Sequence, residues 1–518
     1  MDLSGYAYPG KRAVPRVPNK RRANPKHNGR WSVLDNDALA EVFAGFDDRE
    51  LARVSGVDRR TLRVARPMIR RFLGLSESQW DVFDAVVHRR ENVLLMGAPG
   101  TGKSFLLNVL VERVPRAMVT ASSAAAADKL SGASTLHSAL GIGFGQSPAE
   151  KVVARLAGFE CRGRDSTMAC IKATKTLIVD EVSMLSGKTL SLVEEVLKLA
   201  RGGAKRMPQL VFSGDPMQLA AVDAKENGPF YTTGVVQRLR PYVLTEPFRQ
   251  TEDSPFLRIL NSARMGKARE ADVDWLRAHF SPSVRADAPK LFCHLKAVAN
   301  HNLEELRRLS PPEFSYVSSS KGLPPGVGTI PATLVLRLGA RVLLNRNVPE
   351  HIGKLHNGSC GTVTQLANDT ARVRFDCGVE VTIKKYVQEY KDKEDKVAGT
   401  RTFMPLTLAW AVSIHRAQGA TLDAMRVDLK NCFEPGQAYV ALSRVREAHH
   451  AQVDNLSLNK LIWVDKEALR FYSACAARSE ARAERRRERE RRAERKAHEV
   501  VDDDALNAMM DAVEAAAC

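Results

Sequence analysis

The sequence predicts an α/β protein made of two doubly wound domains with parallel sheets, a small β-barrel inserted into the second, and a short helical segment in front. Three observations predict it. Short, apolar, partly β-branched runs alternate with helical stretches twice, over residues 72–245 and again over 246–475, as buried parallel strands joined by crossovers do. Between about 335 and 405 the rhythm changes to short strands separated by Gly and Asn turns, a pattern of small antiparallel ladders. The length of 518 residues also exceeds one hydrophobic core, at about 150 residues per domain.

Residues 1–30 open the chain with a basic, Pro-rich arm, KRAVPRVPNKRRANPKHNGR over 11–30, too poor in apolar residues to pack and expected to be disordered. It reads as a nuclear-import signal, a polyanion contact or a plain solubilising tail. Residues 31–71 follow with helical spacing, where Leu34, Leu39, Val42, Phe43, Phe46, Leu51, Val54 and Val57 share one apolar face. The first double-wound region supplies VLLM (93–96), RAMVTA (116–121), TLIVDE (176–181) and QLVFSGD (209–215) as strands. The second resumes at TLAWAVSIHRAQG (407–419) after the insertion, whose strands are GARVLLNRN, GTVTQL, ARVRFD and VEVTIKK. Residues 476–518 form a charged tail; its segment SEARAERRRERERRAERKAHE has no apolar face, and in it Glu488 precedes Arg491 and Arg492 at ion-pair spacing. It is expected to be a helical or disordered appendage outside the core.

Composition narrows the class. With 44% apolar and 27% charged residues the body is that of a globular protein, and no apolar run reaches the roughly 20 residues of a membrane span. The first thirty residues lack a secretory signal, so an intracellular location is expected, with the nucleus or another DNA-containing compartment suspected. Eight cysteines without a CxxC pair fit a reducing compartment. Cys293, His294 and His301 have no second ligand pair at zinc spacing, so no structural metal is expected. The net charge of +18 divides into +7 over 1–30, +5 over 478–496 and −6 over 497–518, leaving +12 in the body, an excess suited to a groove along a phosphate backbone.

The chemistry is concentrated in a few segments. Gly97, Ala98, Pro99, Gly100, Thr101, Gly102, Lys103 and Ser104 spell GAPGTGKS between a strand and a helix. That order surrounds phosphates with backbone N–H groups, gives Lys103 the β- and γ-phosphate oxygens, and gives the Ser104 hydroxyl a magnesium ion. Asp180 and Glu181 end an apolar strand about eighty residues later, one carboxylate for the metal's hydration shell and one to take a proton from an attacking water. At the next strand end, Gln218 is placed to sense a γ-phosphate, with Asp215 linking it to the strand. Arg249 in TEPFRQ and Arg444 in YVALSRV are either guanidinium donors to phosphoryl transfer or surface ion pairs. If they are donors, the hydrolysis site is an interdomain cleft.

Seven segments carry a resemblance: VTASSAAAADKLSGASTLHSALGIG, LIVDEVSML, QLVFSGDPMQL, LTEPFRQ, LHNGSCGTV, PLTLAWAVSIHRAQGATLD and FEPGQAYVALSRV. In this order they resemble the motifs of the Pif (petite integration frequency) DNA helicases, superfamily 1 motors of the 5′ to 3′ group related to the RecD subunit and the phage helicase Dda. The likeness spans about residues 72–465. It implies two RecA-like P-loop domains, ATP and Mg2+ as cofactors, and single-stranded DNA and forked duplex as partners in replication, repair or recombination. Gln79 then reads adenine, Lys103 and Ser104 bind phosphate and metal, Asp180 holds the metal through water, and Glu181 activates the nucleophile. Gln218, Arg249 and Arg444 complete the γ-phosphate shell, while Thr120, Thr135, His137, His415 and Gln418 contact DNA. The insertion resembles the family's Src-homology-like barrel.

The likeness has departures. Ser186 stands where the family has Asp, PMQLAAV replaces a more aromatic form, motif Ia lacks its Gly, and Arg416 and Ala417 replace Lys and Ser. None removes a group needed for hydrolysis. Phe403 and Trp410 read as core residues. Residues 34–61 resemble an F-box, which implies a Skp-type ubiquitin-ligase adaptor as a partner; an ordinary helical cap is the alternative. An F-box adaptor with a DNA-reading ATPase, or a remodelling NTPase without unwinding, remains a rival to the helicase.

Overall fold

The computed structural model describes Arg70 and residues 73–517, apart from 144, 146, 159–165, 247–253, 286, 323–330, 347–354, 356 and 392–396. The basic arm, the F-box-like stretch at 34–61 and Arg249 therefore lie outside the described residues. The chain divides into two units between Leu73 and Gly74, and the second contains everything that follows.

The first lobe is one parallel sheet of six strands: β1 (Val93–Gly97), β2 (Ala117–Ala121), β3 (Ser134–Thr135), β4 (Thr176–Asp180), β5 (Gln209–Gly214) and β6 (Arg240–Leu244), in the order β3-β2-β4-β5-β1-β6. Every residue of β1, β4 and β5 is buried, which explains the unbroken apolar runs of the sequence. Helix α1 (Glu77–Val87) opens with a capping box between Ser76 and Gln79. Helices α2 (Lys103–Val111) and α3 (Gly187–Ala200) pack on the sheet, α3 through Leu190, Val193, Val196 and Leu197. Parallel strands bring their C-terminal ends to one edge, where open α/β sheets hold ligands. Here those ends are Gly97, Asp180 and Gly214.

The second lobe has its own core. Helix α4 (Pro255–Arg264) packs Phe256, Ile259, Leu260 and Ala263 against Leu291, Val427 and Val440. Its parallel sheet runs β18-β7-β19-β20, from β7 (Lys290–Phe292), β18 (Ala411–Ser413), β19 (Met425–Asp428) and β20 (Ala451–Asp454). Helix α5 (Leu295–Arg308) follows β7, and α6 (Gln437–Leu442) follows β19.

Between β7 and β18 lies an antiparallel insertion that begins at Glu313, earlier than residue 335. Its main sheet is β14-β13-β12-β11-β17: β11 (Arg341–Leu344), β12 (Cys360–Leu366), β13 (Thr370–Phe375), β14 (Glu380–Lys384) and β17 (Leu406–Leu408). The alternation of β13 turns Ala371, Val373 and Phe375 inward onto a third core. Among the described residues this ladder is open, where the sequence suggested a closed barrel. The physical reason is strand allocation: β15 (Tyr386–Lys391) and β16 (Val397–Phe403) pair with each other and with β9 (Ser319–Lys321), and β8 (Glu313–Val317) pairs with β10 (Thr333–Arg337). Among the described residues no further strand pairs with β14 or β17.

The charged tail, expected from residue 476 as a helical or disordered appendage, continues a helix that begins at Lys466. Helix α7 (Lys466–Ala517) docks its first half on the first lobe. Ala468 and Cys475 enter that lobe's core, and Phe471 stacks on Tyr231 with centroids 5.0 Å apart. Further along, the Val243 N–H donates to Ser479 Oγ at 3.1 Å, Arg482 donates to the Pro241 carbonyl at 2.8 Å, and Arg486 pairs with Asp81 of α1. These contacts cover β6, an edge strand whose open backbone groups are otherwise available to another chain.

Candidate active site and nucleic-acid groove

The phosphate loop is shaped by its glycines. Gly100 and Gly102 have φ of 89° and 77°, a left-handed backbone that other residues adopt only under strain. Gly102 also caps α2. Lys103 is buried and donates to the carbonyls of Gly97 (2.8 Å) and Ala98 (3.0 Å). Burial pulls its ammonium below the ordinary lysine range, against the raising fields of Asp215, Glu181 and Asp180.

Next to the loop, Ser104 Oγ donates to Asp180 Oδ2 at 3.2 Å, and the Glu181 N–H donates to Asp180 Oδ1 at 2.9 Å. A hydroxyl beside a carboxylate is an oxygen donor set that suits magnesium. Glu181 has φ of 50°, a strained conformation for a residue with a side chain, of the kind found at functional sites. Its Oε2 is buried without a hydrogen-bond partner among the described residues. Burial, and then the neighbouring Asp180, push its carboxyl above the usual range, which suits a general base.

Residues of the second lobe meet this carboxylate. A Cβ on Gly419 would lie 3.5 Å from Glu181 Oε1, and Gln418 Nε2 is 3.5 Å from Ser183 Oγ. A Cβ on Gly436 would lie 2.9 Å from the Met217 carbonyl, so only glycine allows this approach between the lobes. Arg444 is buried and its field lowers Glu181. Its guanidinium donates to the carbonyls of Val440 (2.8 Å) and Ala420 (3.2 Å) and to Ser443 Oγ (2.7 Å). Among the described residues, the buried Gln218 has no partner for Oε1, and the buried Gln79 accepts from the Ser76 N–H through Oε1 and has no partner for Nε2. Both amides hold hydrogen-bonding capacity in reserve, which buried groups rarely do.

Arg264 is a site residue that the sequence did not mark. It forms a bidentate pair with Asp215, Nε to Oδ2 at 2.9 Å and Nη2 to Oδ1 at 2.7 Å, with the pair 4% and 0% exposed. Nothing in PFLRILNSAR separates Arg264 from an ordinary helix-end arginine.

A second feature is a groove of about 1800 Å³ bordered by both lobes and by the insertion. Ser123 and Met184 come from the first lobe, Lys290 and Arg416 from the second, and Arg341 and Arg346 from the insertion. One wall is aromatic: His294 stacks on Phe433 at 4.5 Å, and His415 lies 6.0 Å from the same ring. His415 Nε2 is held 2.8 Å from Glu434 Oε2. Cations beside ring faces match the backbone and bases of a single strand. Phe433 and Arg346 went unmarked in the sequence, and His294 was noted only in a Cys/His cluster without a metal, because their segments meet only in the fold.

The expected DNA contacts separate. His415 lines the groove. Thr120 does not reach any surface, because it is fully buried and donates to the Ile178 carbonyl at 2.7 Å. Gln418 is likewise buried, at the contact with Ser183. Thr135 caps the short helix Leu136–Ala139 by accepting from the Ser138 N–H. His137 is partly buried, and burial lowers its pKa. Phe403 is core, whereas Trp410 is partly buried and borders the groove.

Comparisons with known proteins agree with this geometry. Residues 74–281 match a family described as an AAA domain. An ATP-dependent DNA helicase Pif1 of Bdellovibrio bacteriovorus is 30% identical over 413 residues, covering 77% of this chain and 91% of its own length. The zebrafish helicase PIF1 is 32% identical over 418 residues, and the match spans 63% of that longer protein. A crystal structure of Pif1 helicase from Bacteroides in complex with ADP-AlF3 and ssDNA superposes with a TM-score of 0.66 at 26% identity, covering 77% of this chain and 96% of that one. The chain belongs to the Pif1 family of ATP-dependent DNA helicases.

Proposed function

We propose that this chain hydrolyses ATP between its two lobes to move along single-stranded DNA, 5′ to 3′, and to separate forked duplexes. The observation that carries the reading is the meeting of Lys103, Asp180 and Glu181 with Gly419, Gln418 and Arg444 of the other lobe, beside a groove lined by cations and stacked rings.

In this reading the phosphate loop holds the triphosphate and Lys103 exchanges its carbonyl acceptors for phosphate oxygens. Ser104 and Asp180 hold magnesium, which supplies charge neutralisation on the phosphates. Glu181 takes the proton of the attacking water, its raised pKa making it a competent acceptor. Gln218 and Arg444 bear on the γ-phosphate, with Arg249 as a further donor, and Gln79 offers Nε2 to the base. Loss of the γ-phosphate removes what draws Arg444 toward the first lobe. The lobes then part, and the groove, built from both, shifts its grip on the strand. Contacts to backbone and ring faces make that grip largely independent of sequence.

Duplexes with 5′ or 3′ single-stranded tails, in DNA and in RNA, test activity, direction and substrate together. Unwinding of the 5′-tailed DNA with ATP, and ATPase stimulation by single-stranded DNA, is the expected result. Absence of both refutes the reading.

A further inference from the structure

Cys293 and Cys432 are 139 residues apart in sequence, yet their sulfur atoms are 3.5 Å apart. Both are free thiols. Cys293 follows β7 and immediately precedes His294, whereas Cys432 immediately precedes Phe433 and Glu434. The two thiols thus underlie the His294–Phe433 stack and the Glu434–His415 contact of the aromatic groove wall.

We propose that Cys293 and Cys432 are an oxidisable dithiol, a modification site for hydroperoxides, whose disulfide re-sets the Phe433 wall and weakens the grip on single-stranded DNA. The proposal rests on the reading of the groove as the DNA path. Cys432 is the partly exposed member and Cys293 the buried one, so an oxidant reaches Cys432 first. The hydrogen bond from Cys293 holds Cys432 below the ordinary thiol range, and Lys460 adds to this. The same bond, with burial, pushes Cys293 up, and the Asp428 carbonyl is a second acceptor for its S–H at 3.7 Å. One thiol is thereby prepared as the nucleophile and the other as the resolving thiol.

The chemistry balances with hydrogen peroxide as oxidant. The Cys432 thiolate attacks one peroxide oxygen, the O–O bond breaks, and the leaving hydroxide takes a proton to become water. Cys293, giving up its proton, then attacks the Cys432 sulfenic sulfur and expels the second oxygen as water. Two thiols and one peroxide become one disulfide and two waters. Bonded sulfurs sit about 2.0 Å apart, so the chain at Cys432 moves toward β7 and carries Phe433 with it.

The test treats the reduced full-length protein with hydrogen peroxide. Peptide mass mapping reads the Cys293–Cys432 crosslink, and fluorescence anisotropy reads the Kd for a labelled oligothymidylate before and after. The expected result is a crosslinked peptide with Kd raised by at least about fivefold, the low end of losing one base stack. Dithiothreitol restores Kd, Cys293→Ser forms no crosslink under peroxide, and Cys432→Ser, which lacks the attacking thiol, keeps its Kd. No crosslinked peptide, or a crosslink that leaves Kd within about twofold, overturns the proposal. Reduced protein that does not bind the oligothymidylate overturns the groove reading and the binding consequence with it, while the crosslink alone still decides the thiol pair.

Discussion

Asp215 and Arg264 form a buried bidentate ion pair that joins the end of β5 in the first lobe to the last residue of α4 in the second. Burial alone raises a carboxyl, but Arg264 reverses this and holds Asp215 below the usual range. The carboxylate therefore stabilises the fold above the ordinary Asp pKa, and that contribution is lost as pH falls through the depressed value. Arg264→Ala leaves the charge buried and unpaired, a change that costs about 3–5 kcal/mol. Denaturant unfolding at neutral pH measures it; a loss under about 1 kcal/mol counts against a structural role for the pair.

Glu181→Gln is expected to abolish turnover and, at neutral pH, to raise the melting temperature. The raised pKa of Glu181 favours folding below the ordinary Glu value, and this is lost as pH rises through the raised one. A neutral amide of the same shape avoids burying the charge. Thermal melts from acid to neutral pH should show the gain shrinking on the acid side; equal melting of both proteins at every pH contradicts the account.

Arg444→Ala should leave nucleotide affinity near wild type while lowering the ATPase rate by about a thousandfold, the scale of a lost guanidinium in phosphoryl transfer. Its described acceptors include carbonyls and a hydroxyl of its own lobe, neutral groups that a phosphate can replace. Binding of a fluorescent nucleotide and steady-state turnover separate the two effects. Equal losses in both argue against a transition-state role.

Phe433→Ala removes the ring that stacks on His294. Single-stranded DNA binding should weaken by about 1–3 kcal/mol, the worth of one base–aromatic stack. ATPase activity without DNA should be unchanged, since Phe433 touches none of the nucleotide residues described above. Unaltered DNA affinity in a titration rules the ring out as a platform.

Ser479→Ala with Arg482→Ala strips two of the ties between α7 and β6 and the Arg482 contact over the Tyr242 ring, 4.7 Å from its centroid. The double variant should lose about 1–3 kcal/mol and become prone to association through the uncovered edge. Sedimentation velocity and melting curves check both. A variant that matches wild type in both melting and sedimentation makes α7 the appendage its sequence suggests.

What the sequence determined by itself was whatever depends on neighbours along the chain. The phosphate loop is legible because its φ values, its lysine and its serine lie within eight residues. Strands β1, β4 and β5 are legible because burial on both faces demands unbroken apolar runs, and Asp180–Glu181 is legible as the end of such a run. The tertiary structure alone decided the rest. Arg264 has meaning only through Asp215, 49 residues away, and Cys293 only through Cys432. Thr120 and Gln418 sit in motifs that suggested DNA, but packing buried both. Over residues 479–499 helix α7 has no apolar stripe, so periodicity there shows a solvated helix; two of its partners are backbone groups of an edge strand, which leave no mark on side-chain pattern. Local spacing fixes backbone geometry and burial, whereas charge pairing, thiol proximity and edge protection arise only when distant segments meet.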